Sequence, residues 1–213
     1  MHLRWFLVVS VFSYGAFCGP KVELLTPRFW GAGCQKGSAD VSISANAKRI
    51  DLTFQKFVAQ ADSKMGDGTK KECNAMIRIK VPHGFSVAVQ RVKYKGASDL
   101  PYGTNAHLAG AHFFNGADLA TFSKRYHGRS LGRFSVETVI PNSDLNWTPC
   151  GEEAVLASRT TLALSAKKSL AKAIFQIHGE NVRSGISYNL LWRSCAKPLL
   201  PGLPSSLARS GDP

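Results

Sequence analysis

Apolar and polar side chains alternate with a period of two along most of this chain. The clearest case is residues 73–96, where Ile77, Ile79 and Val81 alternate with Arg78 and Lys80. The turn Pro82-His83-Gly84 follows, and Val87 and Val89 alternate with Ser86 and Ala88 on the return. Because successive strand side chains point to opposite faces, this pattern predicts a hairpin. Val81 faces Phe85, Ile79 faces Val87 and Ile77 faces Val89 on one side, with Arg78 and Lys80 on the other. Beyond Gln90 the apolar positions are Val92 and Tyr94, and the polar ones are Arg91, Lys93 and Lys95. A β-bulge near Gln90 produces such a change of phase.

The same alternation runs through residues 41–45 and 50–54 around an Asn46-Ala47-Lys48 turn, a second hairpin. A third is predicted for residues 108–114 and 119–126, joined by Asn115-Gly116, a dipeptide suited to the positive φ angles of a tight turn. Further strands are predicted from Phe134, Val136 and Thr138, and over 155–164, 170–177 and 186–192, where Ile186, Tyr188, Leu190 and Trp192 share a face. Residues 166–173, rich in Ala, Lys and Leu, also suit one or two helical turns. Residues 59–71, 97–105 and 142–149 read as loops. About eight to ten strands at this spacing predict an all-β fold, an antiparallel β-sandwich of two packed sheets.

The first residues break the pattern. Arg4 is followed by the apolar run 5–12 and then by small residues up to Gly19, the arrangement of a secretory signal peptide over 1–18. The run is far shorter than the roughly 20 residues that span a bilayer, so no integral membrane association is expected. One secreted, extracellular domain over 19–195 follows, and 196–213, with Pro198, Pro201, Pro204 and Pro213, has the composition of a disordered tail. Removing the leader leaves Cys34, Cys73, Cys150 and Cys195. In an oxidising compartment these predict two disulfides. Of the three possible pairings, Cys34 with Cys73 and Cys150 with Cys195 gives each half of the chain its own bridge. A zinc site is not expected, because no paired C-x-x-C spacing is present.

Several ordered motifs carry a resemblance: Gly33-Cys34 with Gly37-Ser38, Cys73-Asn74, Val81-Pro82-His83-Gly84-Phe85, Val92-Lys93-Tyr94-Lys95-Gly96, Trp147-Thr148-Pro149-Cys150-Gly151 and Leu191-Trp192-Arg193-Ser194-Cys195. Together, over residues 31–195, they resemble the secreted domain-of-unknown-function family 4360 of fungi and bacteria. The chain departs from that family in the order Cys73-Asn74 and in Ala97-Ser98. The resemblance implies secretion and a disulfide-bonded β fold, and it supplies no activity.

Charge narrows the partners. The chain carries 27 Lys and Arg against 14 Asp and Glu, a formal charge of +13. Such an excess points to an anionic glycan, another polyanion or a host extracellular protein. Arg78, Lys80, Arg91, Lys93 and Lys95 are expected to form one basic ladder, unless carboxylates such as Asp51 or Glu137 cross it and leave the charge as a solubility feature. Trp30 and Tyr102, in loops, are candidates for stacking on a sugar, whereas Trp147 and Trp192, each three residues before a cysteine, are expected to pack over a bridge. Asn146-Trp147-Thr148 is a glycosylation sequon on a loop expected to be exposed.

No catalytic motif is present, and the adjacent Glu152 and Glu153 diverge in a strand. The remaining histidines read as surface or turn residues. His107 and His112, five apart, point to opposite faces, so neither metal nor cofactor is expected. The function read from the sequence is non-enzymatic binding at an extracellular surface, cell-wall glycan or polyanion, with a fungal-type effector as a variant. A hydrolase with an unrecognised carboxylate site and a structural wall component are the alternatives.

Overall fold

A computed structural model describes residues 21–61, 68–166, 172–177 and 185–195. The leader, the tail, and the stretch read as either strand or helical turns lie wholly or mostly outside these residues. The described residues form thirteen strands: β1 (Glu23–Leu24), β2 (Arg28–Trp30), β3 (Ala39–Ile43), β4 (Arg49–Phe54), β5 (Val58–Ala61), β6 (Gly68–Lys80), β7 (Phe85–Leu100), β8 (Thr104–Phe114), β9 (Ala117–His127), β10 (Ser130–Val139), β11 (Ala154–Ala166), β12 (Ala173–Gln176) and β13 (Gly185–Ser194). They make two antiparallel sheets packed as a sandwich. Sheet A runs β1-β6-β11-β8-β9, with β2 also on β6. Sheet B runs β3-β4-β13-β7-β12-β5, with β10 on β7.

The hairpin expected over residues 73–96 is not formed. β6 pairs with β11 in sheet A, and β7 pairs with β13 and β10 in sheet B. Pro82-His83-Gly84 therefore carries the chain from one sheet to the other. Ile77, Ile79, Val81, Val87 and Val89 still point inward and are buried, but across the sandwich from one another. Alternation specifies the buried face of a strand and leaves its neighbour open. The bulge falls where expected: Val89 pairs with Leu190 and Arg91 with Asn189, leaving Gln90 as the extra residue.

The β3-β4 hairpin pairs Val41 with Leu52 and Ile43 with Ile50. β8 and β9 pair around Asn115 and Gly116, whose φ angles of 51° and 79° are those the tight turn requires. Two of the three predicted loops are largely strand. Ala59 and Ala61 are fully buried on β5, and β7 continues through Ser98 to Leu100 before a short turn at 101–103. Small or polar side chains hide the alternation in both stretches. Cys34 is bonded to Cys73 and Cys150 to Cys195, across 39 and 45 residues.

The core between the sheets holds one polar group that the sequence reading placed at the surface. His112 is 1 % exposed. Its Nε2 lies 2.6 Å from the Tyr94 hydroxyl and its Nδ1 2.9 Å from that of Tyr188, while Thr160 Oγ1 lies 3.0 Å from Tyr94. A neutral imidazole has one donor and one acceptor nitrogen, so the two tyrosines take opposite roles. Burial lowers the His112 pKa to about 3 and pushes both tyrosines up. Gly110 makes room for this group, because a Cβ there would overlap the Tyr94 hydroxyl and the Phe122 ring. His107, on the outward face of β8, is not part of it, so the two histidines do point apart.

Candidate ligand-binding site

The five cations expected as one ladder are divided by the sheet crossing. Arg78 and Lys80 lie on the outer face of sheet A, where Arg78 forks Glu153 and Lys80 meets Glu23 at 3.4 Å. Arg91, Lys93 and Lys95 lie on the outer face of sheet B. There Glu137, directly opposite Lys93, reaches Lys93 at 3.3 Å and Arg91 at 3.6 Å. Carboxylates therefore cross four of the five positions. Lys95 has no carboxylate partner among the described residues.

A different assembly takes the ladder's place, built by pairing that joins distant segments. β4, β13, β7 and β10 lie side by side, and their outward residues form rows. Asp51, Ser187, Lys93 and Glu137 make one row, and Arg49, Asn189 and Arg91 make the next. In the row beyond, Gly185 lies opposite Lys95. All of these except Glu137 line a groove of about 260 Å³. Arg49 Nε donates to Asp51 Oδ2 at 2.8 Å, and Ser187 Oγ donates to Asp51 Oδ1 at 2.7 Å. Arg91 Nε is buried without a hydrogen-bond partner among the described residues. The groove thus joins four cations, Arg49, Arg91, Lys93 and Lys95, to one carboxylate, Asp51, which is already engaged, with Ser187 and Asn189 as neutral partners, while Glu137 engages Lys93 and Arg91 from beside it. Arg49, Ser187 and Asn189 were not singled out from the sequence. Their alternation marked them as outward, but only the β4-β13-β7 pairing brings them beside the lysines.

The aromatic candidates lie elsewhere. Trp30, on strand β2 and not in a loop, is 49 % exposed opposite Asn74 on the outer face of sheet A. Tyr102, in the turn after β7, is 82 % exposed with the Arg129 guanidinium 5.7 Å from its ring. Trp192 packs against the core and donates to Ala47 O at 2.7 Å, and Trp147 stacks on Arg193. Asn146 is half-buried. Asn146 Nδ2 donates to Phe114 O at 3.0 Å, and Thr148 is buried, accepting from Val87 N.

Asp51 in the groove and Glu137 beside it are separated by three strand spacings, about 14 Å at the backbone. Glycoside cleavage by paired carboxylates needs roughly 5 to 9.5 Å between the carboxyl groups. Asp118, on β9, and Glu137, on β10, stand in different sheets. No helix among the described residues is long and apolar enough to cross a membrane.

Fold and disulfides define a secreted β-sandwich whose outer faces are polar. The chain belongs to the family described as Domain of unknown function (DUF4360), whose model matches residues 20–195. An uncharacterized secreted protein of Arthroderma benhamiae is 23% identical over 179 residues, 82% of this chain and 72% of that protein. The present protein is likewise secreted. Among solved structures, the match to TmCBM61 in complex with β-1,4-galactotriose covers 79% of this chain and 88% of that chain at 11% identity, with a TM-score of 0.29.

Proposed function

We propose that this protein is a non-enzymatic binding protein of the extracellular space that engages an acidic polysaccharide through the groove on sheet B. The observation that supports this reading is the convergence of Arg49, Arg91, Lys93 and Lys95 on one groove where Arg91 Nε is a buried donor without a partner among the described residues. An unpaired buried donor is costly, and an anionic ligand oxygen would satisfy it. Ion pairs at this exposure contribute about 0 to 1 kcal/mol, so a ligand anion can compete with Glu137 for Lys93 and Arg91. Asp51 and Glu137 favour a sugar over a phosphodiester backbone: carboxylates accept hydrogen bonds from hydroxyls and repel continuous phosphate.

A glycan array probed with the purified domain tests the reading. Acidic oligosaccharides are expected to bind and neutral ones of the same length to be weak. Tighter binding of duplex DNA or of phosphatidylserine vesicles than of every acidic oligosaccharide would contradict it.

A further inference from the structure

The outer face of sheet A carries a second basic pocket, unrelated to the divided ladder. Four strands bring it together. Lys70 on β6 pairs with Ala163 on β11, Ala163 with His107 on β8, and His107 with Arg125 on β9. Asn105 pairs with His127 in the adjoining row. Residues directly opposite on neighbouring strands share a face, so these side chains stand on one surface over small Ala163 and Ser165. They line a pocket of about 590 Å³, and no carboxylate lines it among the described residues.

Its imidazoles are held in place. Asn105 Oδ1 accepts from His127 Nδ1 at 2.8 Å, which orients that ring and leaves Nε2, which donates to an anion in the imidazolium form. His107 Nε2 lies 2.7 Å from Ser123 Oγ, which orients that ring and leaves its Nδ1. Arg125 and Lys70 stand on opposite sides of His107. Arg125 supplies a planar fork suited to a carboxylate or sulfate, and Lys70 a mobile point charge. Four cationic or potentially cationic groups on one face repel one another, and an anion between them relieves that repulsion.

We propose that this pocket is a second anion site, for the carboxylate or sulfate group of an acidic polysaccharide. Its position gives it a use that the groove on sheet B lacks alone. The two outer faces point in opposite directions across a core about 10 Å thick, so one stiff saccharide chain cannot occupy both. A molecule with a site on each face bridges two chains. The bridging rests on the binding proposed above for sheet B; the second site stands on its own geometry.

The probes are a heparin-derived hexasaccharide, rich in sulfate, and hexagalacturonate, whose only anions are carboxylates. Calorimetry on the wild type is expected to give two sites for at least one probe, which assigns the anion. Lys70→Gln/Arg125→Gln and Lys93→Glu/Lys95→Glu should each lower that number to one, with thermal melts confirming that both variants fold. Light scattering should then show the wild type clustering the matching long-chain polymer and either double variant coating it without clusters. One site, abolished by Lys93→Glu/Lys95→Glu and untouched by Lys70→Gln/Arg125→Gln, would reject the second site and leave the sheet B reading intact. Two sites insensitive to Lys70→Gln/Arg125→Gln would also reject it. One site lost only in Lys70→Gln/Arg125→Gln would keep this pocket and remove the groove. Binding of neither probe would remove both.

Discussion

Burial of His112 between two tyrosines ties the stability of the core to pH. Its pKa is depressed from about 6.5 in an unfolded chain to about 3 in the fold. Between these values the unfolded state binds a proton that the folded state refuses. The contribution of His112 is therefore complete above the unfolded pKa and is lost as pH falls toward 3, by at most about 1.4 kcal/mol per unit. Urea midpoints should fall from pH 7 to pH 4, with a shallower decline in His112→Gln. Equal slopes in the two proteins would show that carboxylates alone set the acid response. Tyr94→Phe strands His112 Nε2 and Thr160 and should cost about 1–3 kcal/mol at neutral pH, measured by chemical denaturation. Gly110→Ala forces a methyl group into the Tyr94 hydroxyl and the Phe122 ring and should destabilise by a similar 1–3 kcal/mol or so. This group was partly legible in the sequence. His112 shares the inward phase of Leu108 and Phe114, and Tyr94 and Tyr188 stand at inward positions of their own strands. That the three meet depends on β7 pairing with β13 in sheet B and on β8 facing that pair across the core, which no local pattern encodes.

Among the elements, β7 shows where alternation informs and where it stops. Its buried positions, its outward cations and the bulge at Gln90 are all readable from residues 85–95, because each is a property of one strand. Its partners are not. Ile79 and Val87 would bury equally well side by side in a hairpin or face to face across a sandwich, and the Pro82-His83-Gly84 turn suits both. The pairing of β7 with β13, about 100 residues later, divides the ladder and creates the groove. The disulfides were readable because an even set of four cysteines leaves few arrangements. In the chain-entropy account a loop of 39 or 45 residues contributes roughly 4 kcal/mol. Cys150 and Cys195 anchor the loop before β11 to the end of β13. Cys150→Ala/Cys195→Ala should therefore lower the melting temperature, and reductant should lower that of the wild type further. A melt unchanged by reductant would show that the bridges add nothing to the fold.

At the scale of the whole molecule, an excess of positive charge is spread over a sandwich that pairs much of it internally. Arg78 and Lys80 have their own carboxylates. What distinguishes the groove on sheet B is that its cations outnumber its acids and that one of its donors lacks a partner among the described residues. Most of the fold class was therefore legible from the chain, whereas the site was not. Outward lysines and arginines were visible, but which of them remain available depends on Glu137 on β10, Glu23 on β1 and Glu153 in the loop before β11. The measurement closest to the central claim is the salt dependence of binding to an acidic hexasaccharide, wild type against Lys93→Glu/Lys95→Glu. Affinity of the wild type should fall linearly with salt on logarithmic axes, since displaced counterions drive part of the binding. The double variant should bind about tenfold or more weakly, a loss of about 1.4 kcal/mol or more, with a flatter slope and a cooperative melt that shows it is folded. Equal affinity and equal slope in the two proteins would contradict the account and leave the basic charge of sheet B as a solubility feature.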